Sequence, residues 1–109
     1  MPTTGTLEID LEGYAARHGS TYLIDVREPA EYVAGHVPGA ALVPLGSLGD
    51  RVGDLPRDRT VYIICASGNR SLRAAQALAG VGFDAVSVAG GTSAWIRSGR
   101  PVVTGDRPA

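Results

Sequence analysis

The sequence predicts a single α/β domain with a mostly parallel central sheet covered by helices on both faces, and two observations predict it. Short apolar runs of strand type alternate with segments of helix type along nearly all of the 109 residues. The most apolar run, Thr60 to Cys65, shows no polar alternation, which marks a central strand buried on both sides. An apolar content of 44% supplies a core for a chain of this size, which buries somewhat over ~60% of its unfolded surface.

The elements follow in order. Leu7 to Asp10 is a short strand candidate, with Asp10 placed to cap a helix running to about His18. Tyr22 to Val26 is an apolar run ending beside charge, hence a buried strand. Pro29 opens a short helix at the position where its missing N–H costs nothing, and Gly35 stops it. Ala41 to Pro44 suits a strand, and Leu45 to Val52 a short helix weakened by its glycines and ended by Gly53. After the Thr60–Cys65 strand, Ser71 to Val81 predicts a helix closed by Gly82. Ala85 to Ala89 returns as a strand, Gly90-Gly91 turns, and Thr92 is placed to cap a last helix through Arg97. Residues 99–109 read as an extended, frayed tail.

Composition excludes several classes of function. The formal net charge is −1 and the ten basic residues, all Arg, form no run, so a nucleic-acid or anionic-membrane partner has no electrostatic footprint. No stretch approaches the ~20 apolar residues of a membrane span. One cysteine excludes an internal disulfide and a two-thiol redox cycle. His18 and His36 lack metal-ligand spacing, and no metal is expected. Met1 to Thr6 has neither a basic nor an apolar leader segment; with a free thiol, this predicts a cytoplasmic protein.

The chemistry concentrates in Cys65-Ala66-Ser67-Gly68-Asn69-Arg70-Ser71, between the buried strand and the helix. A lone cysteine ending an apolar strand is commonly a small core residue. Here a polar, curled loop follows it. Small residues around Gly68 let successive backbone N–H groups converge into an anion-binding nest, and the helix adds the positive end of its dipole. Arg70 adds a fixed cation. A thiol in such a cup ionises more readily than a free cysteine, whose pKa is roughly 8.5.

The loop resembles the active-site loop of the rhodanese sulfurtransferases, in which a cysteine opens a six-residue cradle ending in Arg. Leu23-Ile-Asp-Val-Arg-Glu28, with Glu31-Tyr32 and Gly35-His-Val-Pro-Gly-Ala40, is similar to that family's amino-terminal signature, and Val88-Ala-Gly-Gly-Thr-Ser-Ala-Trp95 to its carboxy-terminal one. The resemblance spans residues 7–103 and leaves 104–109 as a flexible tail. It implies the rhodanese-like three-layer α/β/α fold, a persulfide on Cys65, and neither metal nor organic cofactor. It also implies a small sulfur donor, thiosulfate or a persulfide, and a thiophilic acceptor, which is cyanide, a small thiol or a protein thiol. One departure is Ala66, where many active members carry Arg.

Supporting roles are expected of two further residues. Asp25 by itself reads as a loop cap or a partner of Arg27, and the resemblance implies that it braces the active loop from the neighbouring strand, the reading favoured here. Arg27 either faces the pocket or pairs with Glu28 or Glu31. His36 is expected to be a satisfied turn residue, and Phe83 and Trp95 core. Two other functions compete: a phosphatase or arsenate reductase, whose loop typically has one more residue than the Cys-x4-Arg found here, and a catalytically idle binding module, which the presence of Cys65 disfavours.

Overall fold

Five strands, β1 (Glu8–Ile9), β2 (Tyr22–Asp25), β3 (Ala41–Leu42), β4 (Val61–Ile64) and β5 (Ala85–Val88), form one sheet in the order β1-β5-β4-β2-β3, with every pairing parallel. They belong to a computed structural model that describes residues 7–109; Met1 to Thr6, the stretch searched for a leader segment, lies outside the described residues. The helices are α1 (Leu11–Ala15), α2 (Pro29–Ala34), α3 (Leu48–Arg51), α4 (Asn69–Gly80) and α5 (Gly91–Arg97). After β3 the chain passes back across β2 to enter β4, so the direction of winding reverses between β2 and β4. Open parallel sheets bind ligands at the carboxyl ends of strands flanking such a point.

The strand period of two divides the core. Val61, Ile63 and Cys65 join Ala74, Ala75, Leu78 and Phe83 in one buried cluster under α3 and α4. Ile64 joins Tyr14, Tyr32, Val88 and Trp95 in a second cluster under α1, α2 and α5. Phe83 and Trp95 are core residues, as expected. The sheet is therefore apolar on both faces, which is why β4 reads as a continuous hydrophobic run.

Local differences from the expected elements have local causes. Asp10 caps α1 by accepting from the Gly13 N–H, but the α-helix ends at Ala15 and a separate 3-10 turn spans His18–Ser20. The Leu45–Val52 segment is not one helix: 3-10 turns at Leu45–Ser47 and Val52–Asp54 flank the single turn of α3. Helix α4 starts at Asn69, two residues before Ser71, because left-handed Gly68 (φ 108°) turns the chain first. Thr92 does not cap α5. Gly90 holds that position, and the buried Thr92 Oγ1 has no partner among the described residues.

The last residues, expected to be a frayed and flexible tail, are tied to the body. His36 and Val103 exchange backbone hydrogen bonds of 2.9 Å, and the Gly105 N–H donates to Val33 O. The Gly39 N–H donates to Pro108 O, and His36, fully buried, sets its two ring nitrogens against Tyr32 O and Arg107 O. These bonds run mostly between backbone groups, which leave no mark in composition. Among the described residues no helix is long and apolar enough to cross a membrane.

Candidate active site

Cys65 follows directly on β4, at the carboxyl edge of the sheet, and is 1% exposed. Its position in the strand period points it to the α4 side. The chain then reverses through Ala66, Ser67 and left-handed Gly68, where a Cβ would stand 3.2 Å from the Gly90 N. The reversal aims donors at the sulfur. The N–H groups of Gly68 and Ser71 donate to Cys65 Sγ at 3.1 and 3.3 Å, and the Cys65 thiol donates to Ser71 Oγ at 3.3 Å. Burial alone would push the thiol up. The Ser71 hydroxyl and the N–H groups of Ser71, Gly68 and Ser67 outweigh it, and Cys65 lies below its ordinary value.

The underside of the loop is held by α5. The Thr92 N–H donates to Cys65 O at 2.8 Å and the Ser93 N–H to Ala66 O at 3.0 Å. The first turn of α5 thus finds acceptors in the loop rather than in its own cap. Gly91 is required here, since a Cβ would come within 2.6 Å of the Ala66 carbonyl oxygen.

Arg70 lies in the first turn of α4, but its charge is shared. It donates to Glu31 Oε1 at 2.8 Å and Oε2 at 3.0 Å, a bidentate pair in which both side chains are about a third exposed, 31% and 36%. Glu31 also accepts from the Glu28 N–H at the capping box of α2, so one carboxylate links the start of α2 to the start of α4. The Arg70 hydrogen bonds, followed by the Glu28 N–H, lower Glu31 from 4.5 to about 2, and the same pairing raises Arg70.

The two expected supporting residues are brought together, beside the loop but without a direct hydrogen bond to it. Among the described residues Arg27 forms no ion pair with Glu28 or Glu31. Its side chain donates to both carboxylate oxygens of Asp25, at 2.8 to 3.1 Å, and to Gly35 O at 2.8 Å. Asp25 also accepts from the Arg27 backbone N–H, and it is fully buried. Among the described residues its carboxylate makes no hydrogen bond to residues 65–71. The pair fastens the turn from β2 into α2, and any bracing of the loop passes through that turn and Glu31. Sequence reading missed Glu31 as the partner of Arg70, Thr92 and Ser93 as the floor of the loop, and Ser87 behind it. Only Glu31 had a visible signal, three residues after Glu28 at a helix start.

A nest of donors around a strand-end cysteine agrees with the comparisons. The Rhodanese-like domain family model matches residues 10–98. The chain belongs to the rhodanese-like family. Within it, this rhodanese-like domain is 39% identical over 100 residues to a sulfurtransferase of Allochromatium vinosum, covering 88% of this chain and 94% of that protein. It is 43% identical over 82 residues, 72% of the chain, to the probable adenylyltransferase/sulfurtransferase MoeZ of Mycobacterium tuberculosis, of whose length it spans 21%. A rhodanese-related protein from Thermoplasma volcanium superposes with a TM-score of 0.85 at 34% identity, covering 90% of this chain and 98% of that one.

Proposed function

We propose that this rhodanese-like domain is a sulfurtransferase that carries a sulfane sulfur on Cys65. The observation that carries the reading is a buried Sγ at the start of α4 that accepts from two backbone N–H groups and lies against the Ser71 hydroxyl. In the first half-reaction the Cys65 thiolate attacks the outer sulfur of thiosulfate or of a small persulfide. A bond forms from Sγ to that sulfur, the donor's S–S bond breaks, and sulfite or a thiolate departs with the electron pair. The persulfide now bears its negative charge on the terminal sulfur. Charge developing there meets preorganised donors, among them the first-turn N–H groups of Asn69 and Arg70, which have no acceptor among the described residues. In the second half-reaction cyanide or a thiol takes the terminal sulfur and Cys65 leaves as the thiolate. The cycle is covalent and ping-pong, and it requires no general base once the thiolate has formed.

Alternate addition of donor and cyanide tests the reading. The expected result is thiocyanate in stoichiometric amount per cycle after either donor, with negligible hydrolysis of an aryl phosphate. Phosphatase turnover without thiocyanate would overturn it in favour of an oxyanion hydrolase. A protein that takes sulfur from no donor would instead be a binding module.

A further inference from the structure

Behind the loop lies a hydroxyl that takes no part in the sulfur chemistry described above. Ser87 sits in β5, whose other residues are Ala85, Val86 and Val88, and it is fully buried. Its Oγ lies 2.7 Å from Ser71 Oγ, which in turn lies 3.3 Å from Cys65 Sγ and 3.2 Å from the Gly68 carbonyl oxygen. Each serine has one proton and two lone pairs, whereas the Gly68 carbonyl can only accept. Ser71 Oγ is the one hydrogen-bond partner of the Ser87 hydroxyl among the described residues. If Ser71 donated to Ser87, the Ser87 proton would be buried without an acceptor, a state native proteins avoid. The arrangement that uses every proton has Ser87 donating to Ser71.

We propose that Ser87 is a positioning residue: by donating to Ser71 Oγ it leaves the single Ser71 proton to be divided between the Gly68 carbonyl and the Cys65 sulfur. With Cys65 as a thiol, S–H donates to Ser71 and Ser71 donates to Gly68 O. When the thiol proton leaves for solvent, the Ser71 O–H rotates onto the thiolate, and the Ser87 donation polarises it. In the persulfide the charge has moved to the terminal sulfur, and the Ser71 proton returns to Gly68 O. The inference rests on the reading of Cys65 as the nucleophile.

The charged groups near Cys65 are Arg70 on α4 with its partner Glu31 from α2, and the Asp25–Arg27 pair after β2. β5 brings no titratable group, nor does the first turn of α5, so removing the Ser87 hydroxyl alters no charge.

The test is the pH profile of iodoacetamide alkylation of Cys65 in four proteins: wild type, S87A, S71A and the double variant. S87A is expected to raise the midpoint by about half a unit, roughly a threefold loss of thiolate at a fixed lower pH. S71A should raise it further. Adding S87A to S71A should change nothing more, because the hydroxyl acts through Ser71. Ser87→Thr, which keeps the hydroxyl, should restore the wild-type midpoint; if the extra methyl prevents folding, the four-protein cycle still decides. An unmoved midpoint in S87A, or a shift of equal size with Ser71 absent, would overturn the proposal. Alkylation reads the thiol alone. A wild-type protein that never acquires sulfur would therefore count against the sulfurtransferase reading and leave this result standing.

Discussion

The carboxyl ends of β2 and β4 lie side by side, with Asp25 opposite Ile64, and each strand delivers a buried polar group to the same edge of the sheet. The outcomes differ. At the end of β2, a carboxylate and a guanidinium pair through several hydrogen bonds, and Arg27 Nη2 also donates to Gly35 O. At the end of β4, donors converge on one sulfur atom whose charge is not fixed. A buried group satisfied within the fold is structure. Donors that gather on a reactive atom, and gain strength when it ionises, are the mark of chemistry. The signatures of both regions resemble the same family, yet only one of them is built to respond to a change of charge.

The comparison can be broken most forcefully at Asp25. Asp25→Ala leaves the Arg27 guanidinium buried and unpaired, and the expected loss of stability is about 3–5 kcal/mol in denaturant unfolding. A loss below about 1 kcal/mol would mean the corner is not the strut described. Arg70→Ala sits on the other side of the contrast. Its partly exposed ion pair contributes at most about 1 kcal/mol to stability after solvent screening. Its effect should appear in the rate of the first sulfur transfer, slowed on the order of tenfold, with Arg70→Lys recovering only part because a point charge does not replace a planar fork. Wild-type transfer kinetics in the Ala variant would remove Arg70 from the site.

The smallest expected effect concerns pH. Glu31 is lowered in the fold, so its pairing adds stability that is complete above the usual 4.5 and is lost as pH falls through about 2. The stability difference between wild type and Glu31→Gln should be constant at neutral pH and shrink across that acid window. A difference that vanished already near pH 4.5 would show that Arg70 does not hold the carboxylate.

The architecture was legible because two periods do most of the work. The alternation of strand runs with helical segments marked a parallel sheet, and Cys65 at the end of its most apolar strand pointed to the candidate site. What the sequence concealed was direction and partnership. Arg27 has three carboxylates within four positions, and only the turn after β2 shows that Asp25 wins over Glu28 and Glu31. Thr92 looks like a cap, yet two successive left-handed glycines begin the helix before it and turn the α5 N–H groups onto the loop carbonyls. Ser87 in an apolar strand reads as a tolerated small residue until the fold sets it against Ser71. The docking of residues 103–108 is made of backbone hydrogen bonds and the His36 ring, for which Gly- and Pro-rich composition gives no sign.

The central claim is that Cys65 holds a transferable sulfur, and intact-protein mass spectrometry tests it most directly. After treatment with thiosulfate or, separately, a small persulfide, the chain should gain the mass of one sulfur atom, mapped to the Cys65 peptide. Cyanide or excess thiol should remove it, and Cys65→Ser should never acquire it. The single cysteine makes the outcome unambiguous, since no second thiol can resolve the persulfide into an internal disulfide. A wild-type mass unchanged by both donors, in a protein whose thiol still alkylates, would contradict the account.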